Sequence, residues 1–152
     1  MESIYAIILI NVLIYLGSSF SSGTDIVEVL ALYPADVWSH PWTIVTSMFT
    51  HYNFTHILFN MWAFYFFGGA VWRILGTWRF WLVYMVGGII GSLVYILIGD
   101  PHAWVVGASG AIFALGGALA VLRPQFKVIF FPIPIPMPLW VGVVANFTII
   151  TV

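Results

Sequence analysis

Long apolar runs alternate with short polar segments along the chain, and each run approaches the length of a membrane-spanning helix. Such a helix needs about 20 mostly apolar residues. The pattern predicts spans at residues 4–20, within 37–72 with its more hydrophobic part from Phe54, at 80–99 and at 103–122. A fifth apolar run follows a proline-rich segment and reaches Val152.

Prolines at every second position separate the fourth and fifth runs: Pro132, Pro134, Pro136 and Pro138. Each proline removes a backbone donor and biases the preceding residue toward extended structure, so this segment cannot be helical. A fifth helix can start only near Pro138 or Leu139. It then has 14 residues, or roughly 21 Å of length against about 30 Å of hydrocarbon. We expect a sequence that is incomplete at its C-terminus; the alternative is a natural chain that ends as a half-inserted helix.

Composition decides which solvent these helices face. Hydrophobic residues make up 62% of the chain and charged residues only 6%, whereas a soluble domain carries about 25% charged residues. We therefore predict an all-α polytopic membrane protein, with residues 1–152 forming one domain in the lipid bilayer. There is no cysteine, and the net charge of −1 provides no basic surface for nucleic acid.

The basic residues predict the orientation in the membrane. Two lie between the second and third spans and two between the fourth and fifth, so all share one side: Arg73, Arg79, Arg123 and Lys127. The positive-inside rule makes that side cytoplasmic. The N-terminus is then also cytoplasmic, and the loops carrying Asp36 and Asp100 lie outside. The expected location is the cell membrane.

Two polar clusters interrupt the apolar pattern, and polar residues inside spans are costly enough to indicate function. His51, His56 and Asn60 enter the second span from its outer end, and the spacing of four puts His56 and Asn60 on one helix face. The second cluster is the Gly-Ala-Ser-Gly run around Ser109, at the outer end of the fourth span. The predicted topology places both clusters on the same side at similar depth.

The chemistry that these groups support is acyl transfer. A serine at a helix N-terminus has unpaired backbone N–H groups and a positive dipole end beside it. With His56 and Asn60, those N–H groups would form an oxyanion hole for a tetrahedral intermediate. Structural alternatives exist for each residue, because Ser109 can bond to its own helix and Asn60 can link two helices. No metal site is expected, because none of the four histidines are spaced i, i+4 and no carboxylate accompanies His51 and His56. No cofactor is expected either.

The two clusters resemble the motifs of the rhomboid family of intramembrane serine proteases. The run from His51 through His56 to Asn60 is similar to the family's HxxxxHxxxN motif, and residues 107–110 are similar to GxSG. Residues 41–42, 49–51 and 68–71 resemble the surrounding pattern. The resemblance implies a rhomboid-like helical bundle of which about five of six transmembrane helices are present.

The resemblance also implies a role for each residue. Ser109 would be the nucleophile, and His56 and Asn60 would stabilise the oxyanion. Supporting positions are implied around the serine, one turn after it and in the first histidine of the motif: Gly107, Gly110, Phe113 and His51. The family cleaves transmembrane proteins near the outer ends of their helices with a Ser–His dyad, and it uses neither metal nor cofactor.

Three departures from the family pattern affect these expectations. The family's catalytic histidine lies on a sixth span, and no residue of this chain occupies that position. Trp72 stands where many members have a glutamate, and Thr43 stands where an arginine is common, so the outer loop is expected to be held differently. The alternative function is a catalytically inactive rhomboid-like protein that binds transmembrane clients. A transporter would carry ionisable residues in the middle of several spans, which this sequence does not.

Overall fold

The computed structural model describes residues 1–20, 25–130 and 133–144, most of which are helical. The helices are α1 (Glu2–Phe20), α2 (Asp25–Leu30), α3 (Thr43–Thr46), α4 (Phe54–Ile98) and α5 (Ser109–Leu122). Short 3-10 turns occur at Pro34–Asp36 and Ser47–Phe49, and two strands follow α5: β1 (Lys127–Phe130) and β2 (Ile133–Pro138). Among the described helices, α1 and α4 are long and apolar enough to cross a membrane.

Helix α4 is two helical arms joined at a single glycine. Gly76 has φ +78° and ψ 175°, a conformation that only glycine adopts without strain. The arms, residues 54–75 and 77–98, correspond to the predicted second and third spans. The sequence pattern predicted two separate spans, and the structure joins them with one non-helical residue.

Helix α5 begins later than predicted. The fourth span was expected over residues 103–122, but the helix starts at Ser109. The expectation was therefore wrong for residues 103–108, which are not helical. The reason is a tertiary contact: Gly107, at φ +114°, donates its N–H to the Ser47 carbonyl at 2.8 Å. The 14 residues of α5 measure roughly 21 Å. The prediction that Ser109 lies at a helix N-terminus is confirmed.

Small residues bring the second arm of α4 against α5. A Cβ placed on Gly91 would lie 3.3 Å from Gly110 Cα, and one placed on Gly87 would overlap the Ala114 Cβ. In lipid, helices associate through such close backbone approach rather than through a hydrophobic driving force. The pairs 87 with 114 and 91 with 110 run in opposite directions along the two helices. The two helices are therefore antiparallel.

Helix α1 contacts the rest of the chain through one narrow stripe. Its buried residues are Ile4, Ile7 and Asn11, which share a face by helical spacing. Near its start, Ser3 Oγ accepts a hydrogen bond of 3.2 Å from Trp81 Nε1. The N-terminus of α1 thus lies at the same end of the bundle as Arg79, two residues before that tryptophan.

The proline-rich segment is extended over Ile133–Pro138, as predicted, and these residues also pair with those before them; Pro132 lies outside the described residues. Strands β1 and β2 are antiparallel, with Lys127 opposite Pro138 and Val128 opposite Met137. The described chain is mostly helical, as expected, and this short ribbon is a feature that the sequence pattern did not predict. Because the prolines stand at alternate positions, the backbone N–H groups that they lack would all lie along one edge of the strand. A two-stranded ribbon tolerates this, since each strand has one edge without a partner. Helical backbone resumes at residues 139–144, as expected; the rest of the predicted fifth helix lies outside the described residues.

The loop between α2 and α4, residues 31–53, is called the outer loop after its predicted side of the membrane. It is held by hydrogen bonds from side chains to carbonyls. Trp42 Nε1 donates to Val29 O at 2.9 Å, and Thr46 Oγ1 donates to Leu30 O at 2.8 Å. Leu32 and Val105 exchange backbone hydrogen bonds of 2.9 and 2.8 Å. This network fastens the loop both to α2 and to the segment that precedes α5.

Thr43 and Trp72, the two residues that depart from the pattern described above, each make a local hydrogen bond. Thr43 is buried, and its Oγ1 donates to the His40 carbonyl at 2.6 Å. Trp72 donates from Nε1 to Thr77 Oγ1 at 3.1 Å across the turn at Gly76. Trp72 therefore stabilises the turn between the arms, at the opposite end of the first arm from the outer loop.

The close packing of α4 on α5 gives a first prediction. Gly87→Ala should destabilise the protein by about 1–3 kcal/mol, because the new methyl group overlaps Ala114 in a packed interface. Gly69→Ala, on the same helix, meets no atom within 4 Å and should be neutral or stabilising by about 0.5–1 kcal/mol. Unfolding in detergent, followed by tryptophan fluorescence, measures both. Equal stability of the two variants would contradict this packing.

Candidate active site

The backbone just before α5 touches the side chains at the start of α4. A Cβ placed on Gly107 would lie 2.8 Å from His56 Nε2 and 3.9 Å from Asn60 Nδ2. Position 107 therefore requires glycine for two reasons: this close approach and its φ of +114°. The two polar clusters predicted to share one side of the membrane are in contact.

Asn53 sets the position of the histidine and asparagine on α4. It is the N-cap residue, and its Oδ1 accepts a hydrogen bond of 2.8 Å from the backbone N–H of His56. Asparagine is a favoured N-cap because this bond satisfies a donor that the helix cannot. The cap fixes the helix start, so His56 and Asn60 lie on its first two turns. Asn53 was not among the predicted site residues, although an asparagine three residues before His56 is a recognisable cap signal.

Asn60 and His51 lie behind the His56 ring, away from solvent. Asn60 is fully buried and donates from Nδ2 to the His56 carbonyl at 2.9 Å. His51 is buried too, and its ring centroid is 5.0 Å from that of His56 in an edge-to-face arrangement. Among the described residues, neither His51 nitrogen nor Asn60 Oδ1 has a hydrogen-bond partner of ordinary geometry.

Burial controls the charge of His51. Burial, together with the neighbouring His56, lowers the pKa of His51 to about 3, and the nearby Asn60 amide opposes the change. The imidazole is therefore neutral at physiological pH. A neutral ring supports His56 by packing and adds no positive charge beside it.

Ser109 is the first residue of α5 and lines a cavity of about 980 Å³. The N-cap, Ala108, has no side chain that can bond to the helix, and the first helical bond joins Ile112 N to Ala108 O at 2.9 Å. Within the described chain, no group accepts the N–H of Ser109, Gly110 or Ala111. These donors and the helix dipole give the start of α5 a positive potential.

The cavity collects most of the predicted site residues. His56, Gly107, Ser109, Gly110 and Phe113 line it, and Phe113 follows the serine by one turn. Aromatic side chains line it too, among them Tyr52, Tyr95 and Trp104. Asn60 and His51 are the two predicted site residues outside its wall, in the layer behind His56.

The other two histidines, His40 and His102, have partners of their own. His40 Nδ1 lies 2.8 Å from Asp36 Oδ2, and His102 Nδ1 lies 3.1 Å from the Tyr33 hydroxyl. Across residues 1–20, 25–130 and 133–144, no three histidine, cysteine, aspartate or glutamate side chains are grouped as metal ligands. The site is thus a serine, a histidine and an amide around a helix N-terminus.

Comparison with known proteins identifies the family of the chain. The Rhomboid domain family matches residues 38–152, which includes both polar clusters and the outer loop from Trp38. The chain belongs to the rhomboid family. Members of that family are integral membrane proteins, and the family includes serine intramembrane proteases.

Named relatives from yeast and bacteria agree with this assignment. Rhomboid protein 1, mitochondrial, of Saccharomyces cerevisiae is 30% identical over 151 residues, covering 94% of this chain and 43% of the relative. Rhomboid protease GluP of Bacillus subtilis is 33% identical over 121 residues, covering 76% and 23%. Rhomboid protease GlpG of Salmonella newport is 30% identical over 115 residues, covering 74% and 41%. The chain thus spans less than half the length of each of these relatives.

The neutral, buried His51 of this rhomboid chain predicts a pH dependence of stability. The unfolded side chain takes up a proton near pH 6.5, whereas the folded one stays neutral down to about pH 3. Unfolding therefore binds a proton in this interval, and the stability contributed by neutral His51 is lost as pH falls below 6.5. The loss is about 1.4 kcal/mol per pH unit.

Unfolding of the wild type and of His51→Gln between pH 7.5 and pH 5 measures this contribution. The wild type should lose about 2 kcal/mol more than the variant over that interval. Parallel curves for the two proteins would mean that His51 takes up its proton at the same pH in the folded state as in the unfolded state.

Proposed function

We propose that this protein is an intramembrane serine endopeptidase that cleaves transmembrane proteins near the outer face of the membrane. The observation that carries the proposal is the contact of His56 and Asn60 with Gly107, two residues before a serine that opens a helix and faces a cavity. A scaffold needs no such combination of polar side chains at one point. The family membership of the chain supports the same chemistry.

In the proposed reaction, Ser109 Oγ attacks the scissile carbonyl carbon and forms a tetrahedral intermediate. The negative charge on its oxygen is stabilised by the N–H groups at the start of α5, by His56 Nε2 and by Asn60 Nδ2. One hydrogen of the Asn60 amide is used on the His56 carbonyl, and the second can point toward the substrate. Each such donor contributes about 3 kcal/mol to transition-state stabilisation.

The serine hydroxyl also needs a general base, because a neutral hydroxyl is a weak nucleophile. We infer that this base is a histidine outside the 152 residues, which takes the Ser109 proton and later donates it to the leaving amine. The relatives extend well beyond the matched region, which leaves room for a further helix. Phe113, on the cavity wall one turn from Ser109, is assigned to packing against that histidine.

The chain would then supply about five of six transmembrane helices of a single rhomboid domain. We place the basic residues and the N-terminus on the cytoplasmic side of the cell membrane. Two contacts support this placement: Ser3 meets Trp81 beside Arg79, and α5 runs antiparallel to the second arm toward Arg123. The active site lies at the other end of the bundle, toward the outer face.

A serine-reactive fluorophosphonate probe tests the proposal on the full-length gene product. The wild type should be labelled and should cleave a transmembrane substrate in liposomes. Ser109→Ala should abolish both, whereas Ser39→Ala, in the exposed outer loop, should change neither. His56→Ala and Asn60→Ala should each slow cleavage by about a hundredfold, through loss of an oxyanion donor.

Equal labelling of the wild type and Ser109→Ala would remove Ser109 from the role of nucleophile. A full-length protein that is neither labelled nor active, yet co-purifies with transmembrane proteins, would favour the client-binding alternative.

A further inference from the structure

Three contacts form a closed circuit around the segment that carries Ser109. Ser92 Oγ donates to the Ile44 carbonyl at 3.0 Å, which ties the outer loop to α4. Three residues later in that loop, the Ser47 carbonyl accepts the Gly107 N–H at 2.8 Å. The circuit closes where Gly110, next to Ser109, packs on Gly91, next to Ser92.

The second arm of α4 is the common support of this circuit. Its residues at 88 and 92 face the outer loop: the Met48 side chain occupies the space beside Gly88, and Ser92 holds Ile44 one turn later. The adjacent positions 87 and 91 face α5. The outer loop and the start of α5 are therefore both positioned from two turns of one helix.

The segment before Ser109 depends on this outside support. Ala108 provides no side-chain cap for α5, and Gly107 has the conformational freedom of glycine at φ +114°. Its N–H bond to Ser47 is therefore a main restraint on the backbone that leads into Ser109. The Ser47 carbonyl is set in turn by the 3-10 turn at Ser47–Phe49, where it also accepts Thr50 N at 3.2 Å.

We propose that Ser92 is a positioning residue for the nucleophile. Its hydroxyl fixes the Ile44 carbonyl, and thereby holds the Ser47 carbonyl where it orients Gly107, Ser109 and the N–H groups of α5. The catalytic part of this proposal rests on the proposed function, whereas the coupling of Ser92 to Gly107 does not. Ser92 is buried, so its effect is transmitted through the loop.

The test compares Ser92→Ala with Ser92→Thr, which restores a hydroxyl, in the full-length protein. Thr43→Val is the matched control, because Thr43 is buried in the same loop and donates a hydroxyl bond only to His40, within that loop. Two quantities are measured, with each variant held at the same interval below its own melting temperature. One is amide hydrogen exchange at Gly107, and the other is the rate constant for fluorophosphonate labelling of Ser109.

Ser92→Ala should raise exchange at Gly107 about tenfold through local opening. It should slow labelling about tenfold to a hundredfold through misplacement of Ser109. Ser92→Thr should recover most of both, and Thr43→Val should change neither. Exchange and labelling in Ser92→Ala that match those of Thr43→Val would overturn the proposal. Faster Gly107 exchange in Ser92→Ala with no labelling of the wild type would support the coupling and reject the proposed function instead.

Discussion

The close approach of Gly107 to the His56 ring links the two halves of the site. It joins the start of α4 to the start of α5, segments separated by about 50 residues in the chain, through a backbone that has no room for a side chain. The contact is possible because the outer loop restrains Gly107 and because Asn53 starts α4 three residues before His56. A shift of either helix by one residue would rotate Ser109 or Asn60 away from the other.

In the membrane, small residues in the helix interface maintain this contact. Helices in lipid gain little from burying apolar surface against each other, so close backbone packing has to supply the association. Glycines at 87, 91 and 110 provide it between α4 and α5. Exposed aliphatic and aromatic side chains cover much of the outer surface of the same helices. The same apolar composition thus serves the lipid on one face and the helix contacts on the other.

Much of this arrangement was predictable because lipid restricts the choices of the chain. Long uncharged runs form helices, and segments with alternate prolines are extended. Polar residues within the helices are costly and therefore indicate a functional site. The helices of α1 and α4, and the proximity of the Ser109 cluster to His56 and Asn60, followed from these rules. The late start of α5 did not follow, because it depends on a single tertiary bond from Gly107 to Ser47.

Other features depended on contacts between distant residues. The pairing of β2 with β1 needed a partner strand that the proline pattern alone does not reveal. Ser92 and Ser47 gave no sequence signal, since isolated serines are common in transmembrane helices and loops. Their importance appears only when the outer loop is seen between α4 and α5. The role of each site residue came from the family resemblance, and the geometry shows which of those residues meet.

The most direct measurement is the structure of the full-length protein after reaction with a fluorophosphonate, whose phosphoryl oxygen stands in for the oxyanion. The phosphorus should be bonded to Ser109 Oγ, with its oxygen about 3 Å from the N–H groups at the start of α5 and from His56 Nε2 or Asn60 Nδ2. An adduct on another residue, or a phosphoryl oxygen directed away from these donors, would contradict the assignment of this site.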